Sequence, residues 1–126
     1  MLGDHDVGAT LAVSDFGVAR RFYEETLGLT TAVAMEGAAI YTSGSSRLLV
    51  YESEYAGTNK ATAATWAVGD RLDGVVDELR GKGVTFSHYD DLPDTTRDGD
   101  IHTMGDMRGV WFADPDGNIL SIVDQQ

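Results

Sequence analysis

Apolar residues recur along this chain with two spacings, one typical of strands and one typical of helices. Residues 9–13 form a short apolar run that can alternate faces as a strand, and apolar residues between 18 and 23 then recur at helical spacing. The pattern returns 55 residues later, where residues 64–70 repeat five of the seven residues of 9–15. Apolar residues between 72 and 79 then lie at i, i+3, i+4 and i+7, so each half is predicted to begin with a strand and a helix.

Polar and glycine residues mark the ends of the two predicted helices. Asp15 and Asp70 precede them and are placed to accept hydrogen bonds from the free N–H groups of a first turn. Gly28 and Gly83 each follow thirteen residues later, where a left-handed glycine ends a helix. The chain is therefore interpreted as a tandem repeat of one module.

Further strand-like runs complete each half of the chain. They lie at residues 29–34, 38–42 and 48–52 in the first half, and at 84–89, 109–113 and 119–123 in the second. A strong turn containing Pro, Gly and Asn joins the last two runs at 114–118. We expect one α+β domain over residues 1–126, made of two βαβββ modules at about 7–52 and 62–124 with a polar linker at 53–61.

The composition excludes several classes of partner and chemistry. The chain has 9 Lys and Arg against 21 Asp and Glu, a formal net charge of −12, which repels nucleic acid and anionic membranes and attracts cationic ligands. Solubility or a compositional bias of the source accounts for the same charge more simply. The absence of cysteine excludes disulfides and thiolate chemistry. No apolar stretch is long enough to cross a bilayer and the N-terminus lacks a basic start, so we expect a soluble cytoplasmic protein without nucleic-acid or membrane partners.

Two βαβββ modules, the pairs Phe22-Tyr23 and Leu27-Gly28, and the run Trp-Phe-Ala-Asp-Pro-Asp-Gly-Asn at 111–118 resemble the vicinal oxygen chelate superfamily. That superfamily includes glyoxalase I, extradiol dioxygenases, methylmalonyl epimerases, fosfomycin-modifying enzymes and bleomycin-binding resistance proteins. The resemblance implies a glyoxalase-like fold of eight strands in two cupped half-barrels. It also implies a small-molecule ligand in the cup and a homodimer.

The resemblance also locates the positions from which metal-dependent members take His or Glu ligands. In this chain they are Gly8, Val50, Ala63 and Ser121. None of these is a usual ligand of a divalent ion, so we expect neither a metal nor another cofactor. The alternative is a rearranged metal site built from substitute ligands, for which the candidates are His5, Glu52 and His102.

A cup without metal is expected to be mostly apolar with a few placed polar groups. The candidate ligand-binding residues are small, aromatic or polar: Thr10, Tyr41, Val50, Glu52, Thr65, His102, Met104, Arg108, Trp111 and Ser121. Packing in the core accounts equally for each aromatic among them. Catalytic residues stay unassigned, since only Glu52 and His102 are available as an acid and a base.

The segment at residues 90–107 has no counterpart in the first half and carries six aspartates. A loop of this length without structure of its own is either functional or mobile. We expect it to close over the cup, with His102, Met104 and Arg108 nearest the ligand. The alternative is an acidic loop that does not contact the ligand and only raises solubility.

The sequence thus favours a metal-free small-molecule binding protein of the glyoxalase/bleomycin-resistance type. It would sequester or carry an aromatic compound such as an antibiotic, and the acidic surface would favour a cationic one. The alternative is a lyase, isomerase or dioxygenase-type enzyme acting in the same cup, with or without a non-standard metal site. A third class is a cup kept mainly for dimerisation or regulation.

Overall fold

The computed structural model describes residues 1–125. Contacts within the chain divide it into two compact units. Of the described residues, the first unit comprises 1–58 with 115–118, and the second comprises 59–114 with 119–125. The division between residues 58 and 59 falls inside the segment predicted as a linker.

Nine strands and two main helices are formed over these residues. The strands are β1 (Ala9–Val13), β2 (Thr30–Met35), β3 (Ala38–Ser43), β4 (Ser46–Glu52), β5 (Thr62–Ala67), β6 (Thr95–Asp98), β7 (Ile101–Met104), β8 (Met107–Ala113) and β9 (Ile119–Val123). The helices are α1 (Phe16–Arg20), which continues as a π-helix at Arg21–Thr26, and α2 (Leu72–Gly81), with short 3₁₀ turns at Leu2–Asp4 and Gly69–Arg71. The predicted α+β class with two sheets is confirmed, although neither sheet closes into a barrel and the described strands number nine instead of eight. Within residues 1–125, no helix is long and apolar enough to cross a membrane.

The first unit is a four-stranded sheet in the order β1-β4-β3-β2, with β1 and β4 parallel and the other pairs antiparallel. One face of this sheet is its core, where Leu11, Val50 and Tyr41 are buried. The helical segment that follows β1 covers this face, because the ring of Tyr23 stacks on Tyr41 with centroids 6.2 Å apart. We call the opposite face of each sheet, away from its helix, the open face.

The helix ends are only partly as predicted. Asp15 accepts a hydrogen bond from the Val18 N–H at 3.2 Å, and Gly28 takes a left-handed φ of 74°, so the prediction for the first helix is confirmed. The prediction that Asp70 caps the second helix is wrong, because α2 begins at Leu72 and has no side-chain cap. Asp70 lies instead in the 3₁₀ turn that begins at Gly69, whose φ of 59° redirects the chain before the helix starts.

The second unit is a five-stranded sheet in the order β5-β9-β8-β7-β6, with β5 and β9 parallel. The apolar face of α2 is buried through Leu72, Val76 and Leu79, as its periodicity predicts. Alternation along β8 and β9 then sends Phe112 and Leu120 to the core face and leaves their neighbours on the open face.

The connection between α2 and β8 differs from the sequence prediction. Residues 84–89 are not a strand, because they pair with β8 only through the bridge between Phe86 and Phe112 and the hydrogen bond from the Ser87 N–H to the Trp111 carbonyl. The segment at 90–107 is not an unstructured loop, since it forms the β6–β7 hairpin and β7 pairs with β8. Strand β7 pairs with the first half of β8. The chain that follows α2 can therefore pair only with the second half of β8, and it does so through residues 86–87.

Candidate functional site

The open face of the second sheet carries a cavity of about 250 Å³. Four strands contribute to it, namely β5, β7, β8 and β9. The lining residues are Thr62, Thr65, Met104, Met107, Gly109, Val110, Trp111, Ser121 and Val123. Four of the predicted ligand-binding residues therefore come together here: Thr65, Met104, Trp111 and Ser121.

Strand register places the polar members of the lining side by side. Ser121 on β9 is paired with Thr65 on β5 and with Trp111 on β8, so the three residues form one row across the open face. The hydroxyls of Thr65 and Ser121 lie 2.8 Å apart and share a hydrogen bond. The indole N–H of Trp111 donates to the Thr62 hydroxyl at 3.2 Å. The lining is thus mostly apolar, with hydroxyls as its polar groups.

Gly109 keeps part of the cavity free of side-chain atoms. It is paired with Val123 on one side and with His102 on the other. A Cβ at this position would lie 3.0 Å from the Ile122 carbonyl oxygen and 3.1 Å from a methyl of Val123. A larger residue at 109 would therefore press on β9 and reduce the space beside Trp111.

His102 is paired with Gly109 and therefore lies on the open face beside the cavity, where it is 0% exposed. Its Nε2 accepts the backbone N–H of Tyr89 at 3.0 Å, so in the neutral ring the proton is on Nδ1. Nδ1 has no hydrogen-bond partner among the described residues. Trp111 packs edge-to-face on the imidazole at 4.9 Å and on the Tyr89 ring at 5.1 Å, which holds the indole in place.

Burial is the main reason that the pKa of His102 is lowered from its ordinary value. The positive charge of Arg97, directly across the β6–β7 pair, lowers it further. The backbone of Asp100 approaches the ring and opposes the shift without completing a hydrogen bond to Nδ1. His102 is therefore neutral at neutral pH.

Arg108, another predicted ligand-binding residue of the second unit, lies away from the cavity. Arg108 alternates with Gly109 along β8, and so it points to the core face. Its guanidinium pairs with both carboxylate oxygens of Asp73 on α2, at 3.0 and 3.1 Å. Met104 does line the cavity, but it does so from β7 within the sheet.

The candidates of the first unit do not form a comparable group. Tyr41 and Val50 are fully buried on the core face, and the Tyr41 hydroxyl donates to Glu24 Oε2 at 2.9 Å. Thr10 is exposed on the open face. Glu52 is exposed and accepts the backbone N–H at the start of α1 at 3.2 Å.

A one-residue shift explains why Val50 faces the core. Thr10 is paired with Leu49, whereas its equivalent in the repeated motif, Thr65, is paired with Ser121. Leu49, and not Val50, is therefore the counterpart of Ser121. A shift of one residue in a strand moves a side chain to the other face.

The residues at the expected metal-ligand positions do not fit a divalent ion. Gly8, Ala63 and Leu49 carry no donor atom in their side chains, and the Ser121 hydroxyl is bonded to Thr65. Over residues 1–125, no three His, Asp or Glu side chains lie together in a way that would hold a metal ion. His102 gains no support as a substitute ligand, because its Nε2 lone pair is taken by the backbone.

Comparison with known proteins identifies the fold. The model of the Glyoxalase/Bleomycin resistance protein/Dioxygenase superfamily matches residues 7–122. A search of curated proteins found no match. An integron cassette protein from the mobile metagenome of the Halifax Harbour sewage outfall is 16% identical with a TM-score of 0.70, covering 94% of this chain and 97% of its own.

Two solved structures with biochemical names have the same fold. Lactoylglutathione lyase from Agrobacterium tumefaciens is 16% identical with a TM-score of 0.69, covering 94% of this chain and 92% of its own. The fosfomycin resistance protein FosX from Mesorhizobium loti is 12% identical with a TM-score of 0.69, covering 98% of this chain and 93% of its own. At these identities the likeness establishes the fold and not the activity.

Proposed function

Because the chain belongs to the glyoxalase/bleomycin resistance protein/dioxygenase superfamily, we propose that it binds a small molecule in the cavity on the open face of its second sheet. On this proposal the protein sequesters or carries the molecule and does not transform it. No metal takes part in binding.

The chemistry of the cavity lining carries this proposal. Among the described residues, none that lines the cavity has an ionisable side chain. General acid–base catalysis needs such a group within hydrogen-bond reach of the substrate, and nucleophilic catalysis needs an activated nucleophile. A lyase, isomerase or dioxygenase-type enzyme would need an acid, a base or a metal donor there. His102 is the nearest candidate described above, but its side chain is fully buried and its Nε2 is occupied.

The shape of the cavity and the contacts that fix the Trp111 ring favour binding. Ligand sites are typically concave and mostly apolar with a few placed polar groups, and this cavity has that character. The Trp111 ring is already fixed by Thr62, Tyr89 and His102. A ligand would therefore find one wall ordered before it binds, which lowers the entropic cost of association. A fosfomycin resistance protein shares the fold, which supports a toxic compound such as an antibiotic as the ligand.

Fragment screening by NMR tests this proposal. Small arenes would be titrated into the labelled protein while the indole N–H of Trp111 is followed, with Trp66→Phe used to assign the two indole signals. We expect shifts at Trp111 and at the methyl groups of Met104 and Met107. Each fragment should be recovered chemically unchanged after prolonged incubation.

A matched pair of variants locates the binding site. Ser121→Leu fills the cavity and should weaken binding at least about tenfold, which corresponds to about 1.4 kcal/mol. Leu49→Phe changes the equivalent position on the open face of the first sheet and should leave affinity unchanged. Equal losses in both variants, shifts confined to the first unit, or turnover of a bound fragment would each contradict the proposal.

A further inference from the structure

We propose that the cavity selects an uncharged ligand, a single aromatic ring with one hydrogen-bonding substituent, and that the Thr65–Ser121 hydroxyl pair is the element that recognises this substituent. The inference rests on the proposed binding function of the same cavity. It adds the class of ligand and the residues that determine specificity.

The volume of the cavity matches a ligand with one ring. A drug-sized ligand needs roughly 300–1,000 Å³, and a cavity of about 150 Å³ accepts benzene. The cavity described here has about 250 Å³. A benzene ring with one small substituent fits between these limits.

The walls suit an aromatic ring. Met104 and Met107 flank the turn between β7 and β8, and both line the cavity together with Trp111. Methionine side chains adapt to irregular apolar shapes and make favourable sulfur contacts with aromatic rings. The indole N–H of Trp111 is occupied by Thr62, so this wall offers its ring surface and not a hydrogen bond.

The hydroxyl pair can form hydrogen bonds with one polar substituent of a ligand. Each hydroxyl has one proton and two acceptor lone pairs. With Thr65 Oγ1 and Ser121 Oγ 2.8 Å apart, one proton is used within the pair, and the other proton and the remaining lone pairs are left for a ligand. A phenol, an aryl carbonyl or an aryl amide satisfies this pair.

Charged ligands are disfavoured by the same lining. The cavity has no acidic or basic lining residue among those described, and Ser121 is only 5% exposed. An ion placed there would lose hydration without gaining a counter-charge. The net charge of −12 raises the local concentration of cations around the protein, but it provides no partner for them inside this cavity.

Four probes of similar size test this inference through the Trp111 indole signal: phenol, toluene, benzylammonium and benzoate. We expect phenol to bind about 3- to 10-fold more tightly than toluene, the factor that one neutral hydrogen bond supplies. Both ions should bind more weakly than toluene. The order should persist at high salt, where attraction to the surface charge is screened.

Isosteric variants connect the preference to the hydroxyl pair. Thr65→Val keeps the shape and removes one hydroxyl, so phenol should lose its advantage while toluene binding changes less than twofold. Ser121→Ala should do the same, and Thr10→Val, the equivalent change on β1, should have no effect.

Two kinds of result separate the failure of this inference from the failure of the proposed function. Tightest binding by benzylammonium, or an advantage of phenol that survives in both Thr65→Val and Ser121→Ala, would overturn the inference while leaving the binding site in place. If none of the four probes perturbs Trp111, both fail.

Discussion

Replacing His102 should make the stability of the protein less sensitive to mild acid. The side chain is fully buried, its Nε2 accepts the Tyr89 N–H, and burial lowers the pKa of His102 below its ordinary value of 6.5. The charged groups around it are Arg97 and His88, which lower the pKa further, and Asp90, which raises it. In the unfolded chain the same imidazole titrates near 6.5.

The sign and size of the effect follow from proton linkage. Above about pH 6.5 the ring is neutral in both states, and its contribution to stability is complete. Between that pH and the lower pKa of the folded state, unfolding takes up one proton. The free energy of unfolding therefore falls by up to about 1.4 kcal/mol per pH unit. The aspartates with lowered pKa values, Asp73 and Asp90 beside arginines and Asp100 beside His88 and Arg80, lose their contributions only near and below pH 4, in a separate window.

Urea unfolding between pH 7.5 and pH 5 measures this effect. The protein should lose stability between pH 6.5 and 5.5, by up to about 1 kcal/mol. His102→Gln, whose amide oxygen can still accept the Tyr89 N–H, should lose much less. His88→Gln is the control, because His88 is exposed and makes its hydrogen bond to Asp100.

Two results would refute the reasoning about His102. One is an acid-dependent loss of stability in His102→Gln as large as in the original protein. The other is a titration midpoint at or above pH 6.5 for the His102 ring in an NMR experiment. The chain has three histidines, so the signals can be assigned by single substitutions.

Three further predictions concern residues outside the cavity. Burial and the hydrogen bond to Glu24 raise the pKa of Tyr41, so it should ionise at a higher pH than an ordinary tyrosine in a spectrophotometric titration, and Tyr41→Phe should remove that late step. Asn118→Ala should cost about 1–3 kcal/mol in urea unfolding, because the buried amide donates to a backbone carbonyl of β1 at 2.8 Å; a neutral result would mean that this bond is dispensable. Arg108→Ala should change stability by less than about 1 kcal/mol and leave the affinity of cavity ligands unchanged, because the guanidinium pairs with exposed Asp73; a loss of affinity would restore Arg108 as a ligand contact.

Local features of the sequence were sufficient for several regular elements of the fold. The repeated motif located β1 and β5, and the periodicity of residues 72–79 identified the buried face of α2. Asp15 and Gly28 mark the first helix, because capping and left-handed glycine depend only on neighbouring residues. Alternation along β8 and β9 also brought Trp111 and Ser121 to one face, since the two-residue period of a strand fixes which side chains point together.

Other features depended on contacts between residues far apart in the sequence. Strand β6 consists of Thr95–Asp98, which is polar and mostly exposed, so no hydrophobic period marks it. It exists because β7 pairs with it on one side and with β8 on the other. The neighbouring residues 84–89 have the composition of a strand, but they find only one bridge because β7 occupies the first half of β8.

The sequence by itself therefore determined the repeated strand-and-helix start of each half and the last two strands, because these elements follow from residue spacing and local hydrogen bonds. Only the tertiary structure decided which residues share the candidate site. The register of β1 against β4 sends Val50 to the core and Leu49 to the open face, and the register of β5 against β9 brings the hydroxyls of Thr65 and Ser121 together. Register is set by hydrogen bonds between strands distant in the chain, and a shift of one residue reverses the face that each side chain takes.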